Sequence, residues 1–154
     1  MKTRMLILTI SLLLLSGCNT FHGVTVISPK VGDPRNPTKA ESLQPILQWK
    51  ASSQTDGTYD VTIYEGIVIA TTLDELRGQV KRAVGKMVYY REGIKETNHK
   101  VEEPLKPNHE YYWSVRVRQG DQVSQWSQYD YFLFAGVGYV KGEHLTFSFK
   151  TPKK

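Results

Sequence analysis

The residue types that most often carry out chemistry in proteins are sparse in this 154-residue chain. It has one cysteine, Cys18, so no disulfide can form within the chain. No Gly-x-Ser-x-Gly elbow and no phosphate-binding glycine loop occurs. The four histidines lie in separate segments without the close paired spacing of metal ligands; they are His22, His99, His109 and His144. We therefore expect no metal site, no catalytic residues and no enzymatic activity.

The segment before Cys18 has the composition of a secretory signal. Lys2 and Arg4 precede an apolar run of about eleven residues, from Met5 to Leu15, and small residues follow. The run is too short to cross a bilayer core, which needs about twenty residues. Residues 1–17 are therefore predicted to be a signal peptide.

The sequence Leu15-Ser16-Gly17-Cys18 resembles the lipobox of bacterial lipoproteins, in which the cysteine is acylated and becomes the first mature residue. This resemblance implies covalent acyl chains on Cys18 and no other cofactor. Several acyl chains anchor a protein almost permanently, because each buried methylene contributes roughly 0.8 kcal/mol. Asn19 stands where lipoproteins retained at the inner membrane of enteric-type bacteria usually carry Asp. The resemblance thus favours the outer membrane, with the protein periplasmic or surface-exposed.

Removal of the signal leaves about 137 residues and lowers the formal charge from +5 to about +3, because Lys2 and Arg4 are lost. This length fits one domain. Charges of both signs are mixed along the chain, so nucleic acid is not an expected partner. We expect residues 18–22 to be a lipidated tether and residues 23–154 to form the domain.

Within this domain, short alternating apolar and polar segments are separated by turn signals, which is typical of an all-β sandwich. The strongest strand runs over 111–118, where apolar and polar residues alternate strictly. One segment differs. Thr72-Leu73-Asp74-Glu75 has the spacing of a capping box, and Leu76, Val80 and Val84 continue at helical spacing. We expect a short helix near 73–84, either packed on the sandwich or bound to a partner.

The segment Leu105 to Tyr111, with Pro107 between them and Trp113 after, resembles the tyrosine corner and sixth strand of fibronectin type III domains. In that motif the leucine plugs the sandwich, the proline stiffens the corner and the tyrosine hydroxyl bonds to the backbone. Trp49 matches the core tryptophan of that family. The resemblance implies a fibronectin type III or immunoglobulin-like β-sandwich of about seven strands, with the helical insertion.

Ser124-Gln125-Trp126-Ser127 resembles half of the tryptophan-serine box in cytokine-receptor versions of this fold. Arg116 and Arg118 alternate to the same outer face, so we expect their guanidinium planes to stack with Trp126. A structural ladder is favoured over a ligand site here.

Two segments depart from the fibronectin pattern, at 66–90 and 129–142, and are predicted to be insertions. The second is apolar at both alternating positions, so it is either buried beneath the helix of the first or exposed to a partner. The residues predicted to form an interaction surface are Arg116, Arg118, Trp126, Tyr129, Tyr131, Phe132 and Phe134.

Our leading hypothesis is a lipid-anchored, non-catalytic module that binds an unidentified protein, as an accessory to secretion or surface assembly. The abundance of tyrosine supports it, since tyrosine is favoured at interfaces. Carbohydrate binding is the second hypothesis, with Trp126, Tyr64 and Tyr112 stacking on sugar rings. The third is a structural spacer without a specific ligand, which predicts a polar surface on the insertions.

Overall fold

The alternating pattern gives rise to strands through most of the chain. The computed structural model describes residues 20–30, 37–52, 57–69, 81–134, 139–145 and 147–154, and these contain twelve strands and no helix. The strands are β1 (Thr20–His22), β2 (Val26–Ser28), β3 (Thr38–Lys39), β4 (Ile46–Trp49), β5 (Thr58–Ile69), β6 (Lys81–Ile94), β7 (Asn98–Lys100), β8 (Glu110–Gln119), β9 (Gln122–Val123), β10 (Gln128–Phe134), β11 (Tyr139–Leu145) and β12 (Phe147–Lys150).

The strands are arranged in three sheets. The large sheet has the order β3-β12-β8-β5-β6, with β9 attached to β8, and the small sheet has the order β2-β4-β7. A third sheet has the order β1-β10-β11, and its described strands do not pair with those of the other two sheets. All pairings are antiparallel except that of β3 with β12. Buried side chains from the large and small sheets form one core, so the predicted all-β sandwich is confirmed.

Aromatic rings from both sheets fill that core. Trp49 on β4 lies with its ring centroid 5.3 Å from that of Tyr59 on β5, which joins the small sheet to the large one. Trp113 on β8 is fully buried, and its indole N–H donates to the Pro29 carbonyl at 3.0 Å. Phe147 on β12 packs beside Trp113 with the ring centroids 6.2 Å apart. Large aromatic side chains bury enough apolar area to sustain a small sandwich without a disulfide.

The corner before β8 is held by the Tyr111 hydroxyl, which accepts a hydrogen bond from the Lys106 amide at 3.0 Å. Burial raises the pKa of Tyr111, so the hydroxyl stays protonated at neutral pH. Leu105 is half-buried against the core. Pro107 and Asn108 form an exposed turn in which Asn108 has a φ of 52°, a conformation that asparagine tolerates better than most residues.

The prediction of a helix near 73–84 is wrong for residues 81–84, the four of these residues that the structure describes. Residues 81–84 begin β6, and residues 70–80 lie outside the described part of the chain. Val84 pairs with Gly66 and Lys81 pairs with Ile69. A short isolated helix is marginal in water, whereas here β5 supplies a complete strand as a partner, so pairing outweighs helical spacing.

The described part of the predicted 66–90 insertion therefore lengthens a β-hairpin. Strand β8 pairs with β5 as far as Glu65, whereas β6 pairs with β5 as far as Ile69. We call residues 66–69 and 81–84 the hairpin arm, because they extend the β5–β6 pair past Glu65, the last β5 residue that β8 pairs with.

The edge of β8 that faces away from β5 is paired by two segments far apart in the sequence. Residues 124–127 bond to it through the Ser127 amide, which donates to the Val115 carbonyl at 2.8 Å. Phe147 of β12 lies opposite Trp113, which precedes Val115 by two residues on β8. The chain therefore leaves this edge at residue 128 and returns to almost the same place after residue 146.

The excursion contains the β10–β11 hairpin, and the predicted 129–142 insertion lies within it. β10 also pairs with β1, with Phe21 opposite Tyr129. Residues 20–22, which the sequence suggested were part of a tether, thus form a strand.

We predict that Tyr111→Phe lowers the free energy of unfolding by about 1–2 kcal/mol, because the Lys106 amide loses its acceptor in a partly buried hydrogen bond. Urea titration measures the change. Tyr90→Phe is the matched control, since the exposed Tyr90 hydroxyl bonds only to side chains at the surface, those of Glu92 and Arg118, and to no backbone group among the hydrogen bonds described. A loss at Tyr111 no larger than the loss at Tyr90 would contradict the role of the corner.

Candidate functional site

The outer face of the large sheet, opposite the core, brings together side chains from β5, β6 and β8. Tyr64 on β5 pairs with Met87 on β6 and with Tyr112 on β8. Two residues earlier, Thr62 pairs with Tyr90. Residues paired directly across strands lie on the same side of a sheet. Ile63, which lies between Thr62 and Tyr64 on β5, is in the core. These five side chains therefore share the outer face.

Near the far end of this face, the Asp60 carboxylate is held between two arginines. Its Oδ2 accepts a hydrogen bond from Arg116 Nε at 2.9 Å and another from Arg118 Nη2 at 2.8 Å. The Asp60 side chain is 0% exposed, whereas those of Arg116 and Arg118 are 20% and 32% exposed. Arg118 Nη2 also lies 3.5 Å from Glu92 Oε2. One buried acid thus links β5 to two positions of β8.

Electrostatics keep this acid ionised. Burial tends to raise the pKa of Asp60, but hydrogen bonds and charge from Arg118 and Arg116 outweigh it and hold the pKa below its ordinary value. Asp60 in turn raises the pKa of Arg118. A carboxylate held ionised by two cations suits a structural cluster and is poorly suited to transfer protons at neutral pH.

Trp126 lies over this cluster. The Arg116 guanidinium carbon is 4.4 Å from the centroid of the Trp126 ring, whereas Arg118 is engaged by Asp60 and Glu92. The segment that carries Trp126 is fixed by its serines, because Ser127 Oγ accepts from the Val115 amide at 3.0 Å. Stacking and hydroxyl hydrogen bonds therefore orient the indole against the sheet.

Exposed apolar side chains concentrate on the β5–β6 hairpin. Five of the eight large hydrophobic side chains that are exposed in the described residues belong to it, and Met87 is the most exposed of them at 54%. We call these five the hairpin patch: Ile67, Val84, Met87, Val88 and Tyr90. Val84 pairs with Gly66 and Ile67 pairs with Ala83, the next pair along the hairpin, so these two side chains lie on opposite faces of it.

The structure brings only part of the predicted interaction surface together. Arg116, Arg118 and Trp126 meet around Asp60, as described above. Tyr129, Tyr131, Phe132 and Phe134 lie on β10, but their side chains are outside the described part of the structure, as is Cys18.

Neither Asp60 nor the hairpin patch is among the residues predicted from the sequence. The sequence holds two signals for the Asp60 cluster. One is an acid that alternates with core residues along a strand, and the other is a pair of arginines two residues apart in another strand. The sequence does not predict the hairpin patch, because the spacing of Val84 favours a helix there.

Tyr89 and His99 form the closest pair of titratable side chains outside the Asp60 cluster in the described residues. The Tyr89 hydroxyl lies 2.6 Å from His99 Nε2 and joins β6 of the large sheet to β7 of the small one. Burial lowers the pKa of His99 and raises that of Tyr89, so both are neutral at pH 7. This pair closes one side of the sandwich.

A cavity of about 620 Å³ is lined mainly by polar residues of β3, β4 and their neighbours, among them Thr38, Gln44, Gln48 and Lys100. Its lining contains no histidine. Across the described ranges, no group of three or more His, Cys, Asp or Glu residues could hold a metal ion. Nor does this part of the chain contain a helix long and apolar enough to span a membrane.

We predict that Asp60→Asn lowers the free energy of unfolding at pH 7 by about 2–4 kcal/mol, because two partly buried arginines lose their counter-charge. The wild-type advantage should fade as the pH falls through the lowered Asp60 pKa, below the usual value of about 3.9, since protonation removes the charge there too. Urea titrations from pH 7 to pH 2 measure both effects. In Glu92→Gln, the control, the exposed side chain should change stability by less than about 0.5 kcal/mol. An equal loss in both variants would contradict the role of Asp60.

Comparison with known proteins bears on the fold. A family model described as the Rha78A-like, N-terminal immunoglobulin domain matches residues 26–136, which run from β2 into the segment after β10. No curated protein and no solved structure gives a significant match. The matched residues make up more than half of the chain and include most of both sandwich sheets. The chain therefore belongs to the family of Rha78A-like N-terminal immunoglobulin domains.

Proposed function

We propose that this protein is a bacterial envelope lipoprotein, anchored through acyl chains on Cys18, whose immunoglobulin-like domain binds a protein partner without catalysing a reaction. The observation that carries the proposal is the hairpin patch, where five large apolar side chains are exposed on one hairpin. An accessory role in secretion or surface assembly fits such a module. Its location is the cell envelope, with the outer membrane favoured by Asn19.

The anchor is supported by the order of features along the sequence. A basic start, a short apolar run and small residues precede Cys18, the only thiol of the chain. Strand β1 begins at Thr20, only two residues later. A lipid on Cys18 would therefore hold the folded domain close to the membrane surface.

The hairpin patch has the chemistry of a protein interface. Methionine adapts its shape to a partner, and tyrosine contributes a large contact area with little loss of conformational entropy. Met87 and Tyr90 share the outer face with the half-buried Tyr64, so the patch continues onto the sheet. A standard interface buries about 800 Å² on each partner, and the hairpin patch together with the sheet face beside it offers a continuous stretch of β5, β6 and β8 for such a contact.

Carbohydrate binding is the second candidate, favoured by the pairing of Tyr64 with Tyr112 on the outer face. Stacking on a sugar requires an open ring face, and both tyrosines, like Trp126, are only partly exposed. A spacer without a ligand would carry a polar surface, contrary to the exposure of Met87 and Val84. Protein binding therefore ranks first.

We predict that Cys18→Ala abolishes incorporation of a clickable fatty acid and releases the protein from sedimented membranes, because no other residue carries a thiol. Labelling and fractionation are compared with those of the wild type. Ser42→Ala, an exposed substitution far from Cys18 in sequence, serves as the control and should change neither result. Persistent labelling of Cys18→Ala would refute the anchor.

We predict that a photo-crosslinking residue placed at Met87 in living cells yields a discrete cross-linked protein, whereas one at Ile46 yields none. The two sites are matched, since their exposed fractions are 54% and 51%, but Ile46 lies on the small sheet and outside the β5–β6 hairpin. Denaturing electrophoresis and mass spectrometry of the adduct provide the readout, and Val84→Ser should weaken it.

Equal products at both sites, or none at Met87, would contradict the protein interface. Binding of purified envelope polysaccharide that Tyr64→Ala abolishes, without a cross-link at Met87, would support the carbohydrate alternative instead.

A further inference from the structure

Tyr89 joins the middle of the hairpin patch to the small sheet. It lies between Val88 and Tyr90, two residues of the patch. It pairs with Ile63 of the core, so its ring is on the inner face of the large sheet. Its hydroxyl lies 2.6 Å from His99 Nε2 on β7, and the two ring centroids are 5.8 Å apart. At this point β6 therefore has a direct side-chain link to the opposite sheet.

The backbone of β6 is held less firmly at the same place. Among the described strands β6 pairs with β5 alone, because it is the edge of the large sheet. Ile63 pairs with Tyr89, whereas the next β5 residue pairs with Met87. Val88 thus stands opposite no residue of β5, and such an irregularity interrupts the ladder of hydrogen bonds. The contact of Tyr89 with the small sheet therefore fixes a segment whose own strand pairing is incomplete.

This contact is suited to a neutral imidazole. Burial raises the pKa of Tyr89, and a hydrogen bond from the Glu102 backbone opposes the rise, as expected of an amide donor. With that amide donating to its oxygen, the Tyr89 hydroxyl has one proton of its own to donate, and His99 Nε2 is the acceptor in reach. Protonation of His99 turns this acceptor into a second donor, so the Tyr89 proton loses its partner.

Charged groups from three segments face the pair, and β4 contributes the apolar Leu47 opposite His99. The charged groups are Arg91 on β6, Glu96 before β7, and Glu102 and Glu103 after it. Arg91 Nη2 also lies 3.3 Å from Glu102 Oε1 in an exposed ion pair. Burial outweighs these charges and lowers the pKa of His99, because desolvation disfavours the imidazolium. The ring is therefore neutral at pH 7 and gains its proton in acid.

We propose that protonation of His99 releases the middle of β6 from the small sheet and thereby weakens binding of a protein partner at the hairpin patch. This inference rests on the proposed function and assigns a regulation to the same surface. Val88 and Tyr90 flank Tyr89, so they move when it is released. Histidine is the side chain whose charge ordinarily changes between pH 5 and pH 8, and such a local change acts through an element with two arrangements.

Acid favours the open form of β6. Because the pKa of His99 is lowered in the closed form, the open form binds a proton more readily. The closed form keeps its full advantage above the ordinary histidine pKa of about 6.5. Each pH unit below that value raises the open fraction by up to about tenfold, until the lowered pKa of the closed form is reached.

Two measurements on the purified full chain test the release of β6. Nuclear magnetic resonance follows the titration of the His99 imidazole, and hydrogen exchange gives the amide protection factors of Val88, Tyr89 and Tyr90 from pH 8 to pH 4. We expect the protection factors to fall over the pH range in which His99 gains its proton.

Two variants identify the group responsible. His99→Gln keeps an acceptor for the Tyr89 hydroxyl but cannot gain a proton, so it should remove the pH dependence. His109→Gln is the matched control, since the His109 ring also lies beside a tyrosine, 5.2 Å from that of Tyr111. It should leave the pH dependence unchanged.

The photo-crosslink at Met87 measures the effect on the partner. In isolated envelopes we expect the yield of the adduct to fall several-fold from pH 7 to pH 5 with the wild-type sequence, and to stay constant with His99→Gln. Tyr89→Phe lacks the hydroxyl and should give the low yield at both pH values.

Protection factors that do not follow the titration of His99 overturn the proposal, and so does a fall in yield that His99→Gln shares. An adduct whose yield is the same at both pH values refutes the regulation alone. The absence of an adduct at either pH refutes the protein interface of the proposed function, and the regulation with it.

Discussion

Every backbone N–H and C=O group of a buried central strand needs a hydrogen-bond partner, and in this protein that constraint falls on β8. One edge of β8 is paired from Tyr111 to Arg118 by β5, and the other is shared between β9 with residues 124–127 on one side and β12 on the other. Because the two segments continue each other along the strand, the intervening residues can leave the sandwich without exposing the β8 edge. The β10–β11 hairpin, which pairs with the N-terminal strand β1, is formed by these intervening residues.

The sandwich holds together without a covalent link between its sheets. Its core is aromatic, with Trp49 and Trp113 contributed by opposite sheets, and polar contacts reinforce its periphery. Asp60 joins β5 to β8 on the outer face, and the Tyr89–His99 hydrogen bond joins the two sheets at one side. At the edge of this sheet the hairpin arm continues the pairing of β5 with β6 beyond the end of β8.

Local patterns predicted the fold where local chemistry determines it. Strict alternation identified the strand around Trp113, and the tyrosine spacing identified the corner, because both depend on neighbouring residues. The prediction of a helix near Val84 is wrong because capping and helical spacing are local preferences, whereas the conformation of β6 is set by its pairing with β5. The Asp60 cluster joins residues more than fifty positions apart, so strand register, which single-sequence patterns do not specify, had to be known first. The side chains of β10 are a different case, since the pattern indicated an apolar surface but not what covers it.

The pairing of β3 with β12 has a consequence for how the chain reaches its native state. It joins residues 38–39 to residues 149–150, and β12 also supplies the two phenylalanines that pack against Trp113 and Tyr111. Contacts over such sequence separations form late and slow folding. The core therefore cannot close until the segment that carries β12 is available, and it closes without any thiol oxidation step, because the chain has one cysteine.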